Sequence, residues 1–127
     1  MYEINPIKDD GYEDSYTYKA KNSAGQIMCF EVYKTTDGYL WVKFYITTKR
    51  RDGFQDGRQT GRDGLKSLSW AKNCLLHFLE TKRSYYKGIK LLVQGADRRR
   101  FIAYKRSLEP LGFKEILDGT RTLMIEL

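Results

Sequence analysis

Residues 47–78 read TTKRRDGFQDGRQTGRDGLKSLSWAKNCLLHF, and the parsing of this stretch decides the fold. The residues just before it, LWVKFYI at 40–46, alternate so that Leu40, Val42, Phe44 and Ile46 share one face and Trp41, Lys43 and Tyr45 the other. That period of two predicts a strand running to Thr47. Downstream, Leu65, Leu68, Ala71, Leu75, Phe78 and Leu79 recur at spacings of three and four, which predicts a helix over residues 65–82 with one buried face. Between the two lies a loop rich in glycine and arginine, with Gly57-Arg58, Gly61-Arg62 and Asp63-Gly64 in succession. Glycine allows positive φ and close approach of a bulky group to the main chain, and Asp63 suits the helix N-cap. The first helical amides have no internal partners and lie at the positive end of the dipole. With Arg58, Arg62 and Lys66 around them, they form a candidate phosphate cradle. The same glycines also suit a solvated loop that only has to turn.

Composition bounds what surrounds this stretch. A chain of 127 residues holds one domain with a sizeable core. With 41% apolar and 14% aromatic residues, an ordered chain is expected outside the termini. The formal charge of +7 attracts polyanions. It does not choose among nucleic acid, a phosphate-bearing cofactor and an acidic partner. Cys29 and Cys74 form no CxxC pair and read as small core residues, so a reduced, cytoplasmic setting is expected. His77 is the only histidine, which excludes a multi-histidine metal site and leaves little for a Ser-His-Asp triad. No apolar leader and no run of membrane-spanning length is present, so a soluble protein with no membrane partner is expected.

Taken outward, residues 1–14 predict an extended or poorly ordered lead-in and residues 15–127 a single domain. Residues 16–20 and 26–33 predict a hairpin across Asn22-Ser23-Ala24-Gly25. In the second of these strands, Met28, Phe30 and Val32 form a wholly apolar face. Asp37-Gly38 turns the chain into the third strand, 39–47. After the long helix, the apolar run 89–93 (IKLLV) fits a buried central strand. Asp97 then caps a second helix over 98–108, with Phe101, Ile102 and Leu108 facing inward. Pro110 and Gly112 end it, and residues 113–116 and 122–127 form a last hairpin across Leu117-Asp118-Gly119. The fold class is therefore α/β (α+β). It is a mixed, mostly antiparallel twisted sheet of about six strands with two main helices, in the order β-β-β-α-β-α-β-β.

Strand, then Arg58-Gln59-Thr60-Gly61-Arg62-Asp63-Gly64, then a long helix, resembles the R/Q-x-x-G-x-G/A acetyl-CoA loop of the GNAT N-acetyltransferases. A strand, a helix bearing Tyr104, and Leu111-Gly112-Phe113 before a final hairpin resemble the C-terminal half of that family. The resemblance covers residues 40–127. In this sequence Asp63 stands between Arg62 and Gly64. Leu108 takes the usual tyrosine place, four residues before the Gly of the Gly-Phe pair, and Tyr104 lies one helical turn earlier. The short turn between the first two strands leaves little room for the two N-terminal helices of the family.

The resemblance implies an acyl-CoA-dependent N-acetyltransferase, with acetyl-CoA or a related acyl-CoA as cofactor. The acceptor is an amine of a small molecule, or a protein lysine or N-terminus. It implies that the loop from Arg58 through Gln59, Thr60, Gly61, Arg62 and Asp63 to Gly64 holds pyrophosphate. The main chain of Tyr45, Ile46 and Thr47 then pairs with the pantetheine arm. Transfer is direct, and Tyr104 protonates the leaving thiolate.

A second class stands beside the enzyme. Arg98, Arg99 and Arg100, with Lys105 and Arg106, make the second helix basic, either as a solvated face or as a phosphate-contacting one. Tyr39, Trp41, Tyr45, Tyr85 and Tyr86 either pack against a helix or stack bases. The alternative function is a non-catalytic GNAT-like module binding nucleic acid or a protein assembly, of a kind that also occurs in phages and mobile elements.

Overall fold

The computed structural model describes residues 6–8, 15–47, 54–56, 64–95 and 97–127. Strands β1 (Pro6–Lys8), β2 (Ser15–Lys21), β3 (Ile27–Lys34), β4 (Leu40–Thr47) and β5 (Phe54–Asp56) come first, followed by helix α1 (Gly64–Lys82). Then come β6 (Lys90–Gln94), helix α2 (Arg98–Leu108), a 3-10 turn (Glu109–Leu111), β7 (Lys114–Ile116) and β8 (Thr122–Glu126). All eight strands join one sheet in the order β1-β2-β3-β4-β6-β8-β7, with β5 pairing β4. Every pairing is antiparallel except β4 with β6. That parallel pair needs a long crossover, which the segment carrying α1 supplies.

The six expected strands and both helices are present with ends shifted by a residue or so, and two short strands are added. β1 falls within the expected lead-in, paired with Tyr16–Tyr18 of β2. β5 falls within the glycine-basic stretch. Gly112, at φ +107, closes the turn after α2 in a conformation that side chains beyond glycine avoid.

The alternation read in β3 is the floor of the core. Met28, Phe30 and Val32 are buried and lie in register with Ile46, Phe44 and Val42 of β4. Leu91 and Val93 extend that face across the parallel pair, in register with Leu40 and Val42. Helix α1 covers the floor with Ala71, Leu75 and Phe78 of the expected face, joined by Trp70. Trp70, Cys74 and Phe78 are its most buried residues, at 1% exposure or less, while Leu79 is only partly buried. The Trp70 and Phe44 ring centroids are 6.2 Å apart, and those of Phe78 and Tyr16 5.4 Å.

Phe101 and Leu108 of α2 enter the same core, whereas Ile102, expected inward, is 38% exposed. The Lys105 ammonium sits 2.9 Å from the Glu115 carboxylate, tying α2 to β7 and raising the lysine pKa. Tyr86 does not present a face for bases: it is 2% exposed, and its hydroxyl meets that of Tyr16 at 2.8 Å. Tyr85, by contrast, is 74% exposed. His77 takes a structural place, its Nδ1 2.9 Å from the Tyr18 hydroxyl.

At the end of β6 the chain approaches α2 closely. A Cβ on Gly95 would lie 2.7 Å from both Cα and Cβ of Phe101, and Phe101 is itself buried. Backbone on one side and core on the other leave neither partner room to yield. Gly95→Ala is therefore expected to cost about 1–3 kcal/mol, the range for overpacking, read as a lower urea midpoint with unchanged slope. Wild-type stability in that variant would mean that α2 shifts freely on the sheet.

Candidate functional site at the gap between β4 and β6

One edge of β4 is paired with β3 along its whole length. The other edge is shared. Leu40–Val42 pair with Leu91–Val93 of β6, and Tyr45–Thr47 pair with Asp56–Phe54 of β5. Among the described residues, no strand pairs with this edge of β4 beside Lys43 and Phe44. There β6 turns away through Gln94 and Gly95, whose side-chain-free Cα lets α2 come in close.

A pocket of about 270 Å³ occupies this gap. Leu68, Ala71, Lys72 and Leu75, from the second and third turns of α1, form one wall. Tyr104, Ser107 and Leu108 of α2 form another. From the sheet come residues of both faces: Phe30, Val42 and Phe44 on the helix side, and Tyr33, Trp41 and Lys43 on the opposite side. Side chains alternate across a strand, so the lining draws on strand residues of both parities beside the gap. Among the described lining residues Lys43 and Lys72 carry the only formal charges, and Lys43 stands opposite Glu31 in the β3–β4 register.

Tyr104 is thus at the pocket. Gly64 opens α1, and the helix reaches the pocket wall one turn later at Leu68. Arg58, Gln59, Thr60, Gly61, Arg62 and Asp63 lie outside the described residues, so the cradle and its cap carry no structural account. The expectation for Tyr45, Ile46 and Thr47 needs correction, since β5 takes the edge on which a pantetheine arm was to pair. Ile46 is buried in the core, and the Tyr45 hydroxyl donates to the Glu31 carboxylate at 3.0 Å. Burial, Cys29 and Glu31 together hold the Tyr45 pKa well above its ordinary value.

The basic face needs a correction as well. Arg98 and Arg99 are exposed, but the Arg100 side chain is only 17% exposed and pairs with Asp97. Asp97 also accepts from the Arg100 amide at 2.8 Å as the α2 cap, and these contacts hold its carboxyl below the usual range. Arg100 therefore belongs to the helix start rather than to a polyanion surface.

Sequence reasoning did not single out Lys72, Ser107 or Tyr33 as site residues. Their only common signal is position, since each adjoins the ladder gap, and that gap is set by pairing between distant strands.

Both thiols are poor nucleophiles. Cys29 and Cys74 are buried, and desolvation raises both pKa values, that of Cys74 to about 12. No group of three or more His, Cys, Asp or Glu among the described residues is placed to hold a metal ion. No described helix is long and apolar enough to cross a membrane. The chain matches no protein-family model, and no solved structure matches it.

Proposed function

We propose that the protein is an acyl-CoA-dependent N-acyltransferase of GNAT type whose reacting groups meet in the pocket between β4 and β6. The observation that carries this reading is the ladder gap beside Lys43 and Phe44, facing Tyr104. A parallel strand pair that opens after three residues leaves main-chain polar groups beside a narrow, mostly apolar slot. That suits a linear, amide-bearing arm such as pantetheine. The fit is tested by the lining. Val42, Phe44, Ala71 and Leu75 accommodate an alkyl chain, the peptide groups around Lys43 and Phe44 match its amides, and Lys72 brings positive charge near the phosphate end.

When bound, acetyl-CoA supplies an acyl thioester whose carbonyl carbon takes the amine nitrogen as the C–S bond breaks, giving an amide and a free thiol. The chain's own residues position and exchange protons. Tyr104 holds a hydroxyl proton at the wall where a leaving sulfur gains one. The α2 helix keeps the Tyr104 ring in place through Phe101 and Leu108, both anchored in the core. The positive end of the α1 dipole, at Gly64, lies one helical turn from Leu68 on the pocket wall.

Isothermal calorimetry with acetyl-CoA, and with desulfo-CoA as a control, tests the reading. Stoichiometric binding at about micromolar Kd is expected, corresponding to roughly −8 kcal/mol. Gly61→Asp should abolish it while the circular dichroism spectrum is retained. Absence of heat with either ligand would overturn the reading. It would favour the binding-module alternative, for which Arg98 and Arg99 supply exposed charge.

A further inference from the structure

The geometry points to a second binding surface on this protein: the solvent side of α2, which contacts the phosphate backbone of a nucleic-acid duplex. This surface goes beyond the acyltransferase reading and does not depend on it. Over residues 97–116 the chain carries six cations and three carboxylates. All three carboxylates are engaged, Asp97 with Arg100, and Glu109 and Glu115 with Lys105. Arg98, Arg99 and Arg106 are exposed and have no carboxylate partner among the described residues.

These three arginines share one side of the helix. At about 100° per residue, Arg98, Ile102, Arg106 and Arg99 fall, in that angular order, within an arc of about 100°. Ile102, at 38% exposure, marks the arc as open to solvent. Phe101, Tyr104 and Leu108 lie within about 60° of one another on the other side, toward the core and the pocket. A polyanion on the arc therefore leaves the pocket side of α2 clear.

The chemistry of the arc selects the partner. Its unpaired cations are all arginines, whose planar guanidinium presents paired donors to phosphate oxygens. Arg98 and Arg106 lie about 12 Å apart along the helix axis, and a duplex carries a negative charge about every 1.7 Å of its length, so several phosphates fall within that span. An anionic membrane surface would instead require a free apolar helix face. In α2 that face is occupied in the core, through Phe101 and Leu108. Phosphate contacts carry no sequence information, so binding is independent of base sequence.

The test is fluorescence anisotropy with a labelled DNA duplex of about 20 base pairs, titrated across about 0.05–0.2 M NaCl. Arg98→Gln, Arg99→Gln and Arg106→Gln together should make the slope of log K against log salt shallower by about 2–3, near 0.9 per lost contact. At the lowest salt the same variant should bind at least about tenfold more weakly. A control triple, Lys21→Gln, Lys34→Gln and Lys87→Gln, removes equal charge from exposed positions outside α2. Its slope should stay within about one of the wild-type value. Circular dichroism checks that the variants stay folded, and Arg106→Gln alone, with an expected change of about 0.9, replaces the arginine triple if that unfolds. A wild-type slope near zero, equal losses in the two triples, or loss of binding to a scrambled duplex would overturn the assignment. So would tighter binding to phosphatidylserine vesicles or polyglutamate than to the duplex at equal salt. None of these results bears on acetyl-CoA binding, which tests the acyltransferase reading separately.

Discussion

Trp70→Ala is expected to lower the unfolding free energy by about 3–5 kcal/mol, the range for removing a buried Trp or Phe from a core. Trp70 is 1% exposed and stands over Phe44, so its indole joins α1 to the strand that borders the pocket. The surrounding groups are themselves fixed. Cys74 and Phe78 sit on the same helix face, and Met28 and Ile46 lie in the sheet below. A cavity left here has little freedom to collapse. Against a total stability of about 5–15 kcal/mol, such a loss leaves the chain marginal. Urea unfolding followed by far-UV circular dichroism measures it, and Trp70→Phe should recover part of the loss. A change under about 1 kcal/mol would mean that the helix repacks on the sheet and that the floor is not close-packed.

Trp70 also shows where reading the chain alone falls short. Its helix and much of the buried face were legible from the three-and-four spacing, since Ala71, Leu75 and Phe78 are buried as expected, but the place of Trp70 was not. The sheet beneath takes in Trp70 as well, because its indole fits over Phe44. Strand alternation was a stronger guide, since a period of two leaves only two faces to choose between. Met28, Phe30 and Val32 accordingly form one buried face as expected. Ile102 was misplaced because α2 is short and basic, and few apolar residues fix its rotation.

The pocket was less legible than the core. Tyr104 was identified from the resemblance, and the structure puts it on the wall. The strand edge assigned to Tyr45, Ile46 and Thr47 is instead filled by β5, a three-residue strand with no alternation long enough to register in sequence. The ladder gap at Lys43 and Phe44 comes from the lengths of two separate pairings, β4 with β6 and β4 with β5. Neither length is encoded near the residues it exposes. Arg100 was misread for a local reason: its helical neighbours look equally basic, but only Arg100 lies three residues after the capping Asp97, within reach of that carboxylate.

Tyr104→Phe is expected to lower kcat about 100-fold or more, within the range for loss of general acid–base catalysis, while acetyl-CoA affinity stays within about twofold. The two effects separate because the substitution keeps the ring that forms the wall and removes only the hydroxyl proton. Lost packing would raise the Kd instead, and calorimetry on the same variant would detect it. The penalty should shrink as the leaving thiol becomes more acidic, because a better leaving group needs less protonation in the transition state. Acyl donors built on a low-pKa aryl thiol therefore provide a second readout. Leu108, one turn further along α2, is a hydrocarbon side chain anchored in the core and offers no hydroxyl in place of the missing one. A kcat unchanged in Tyr104→Phe, with binding intact, would make Tyr104 a wall residue and direct the search for the proton donor to Tyr33 and Ser107, the other hydroxyls lining the pocket.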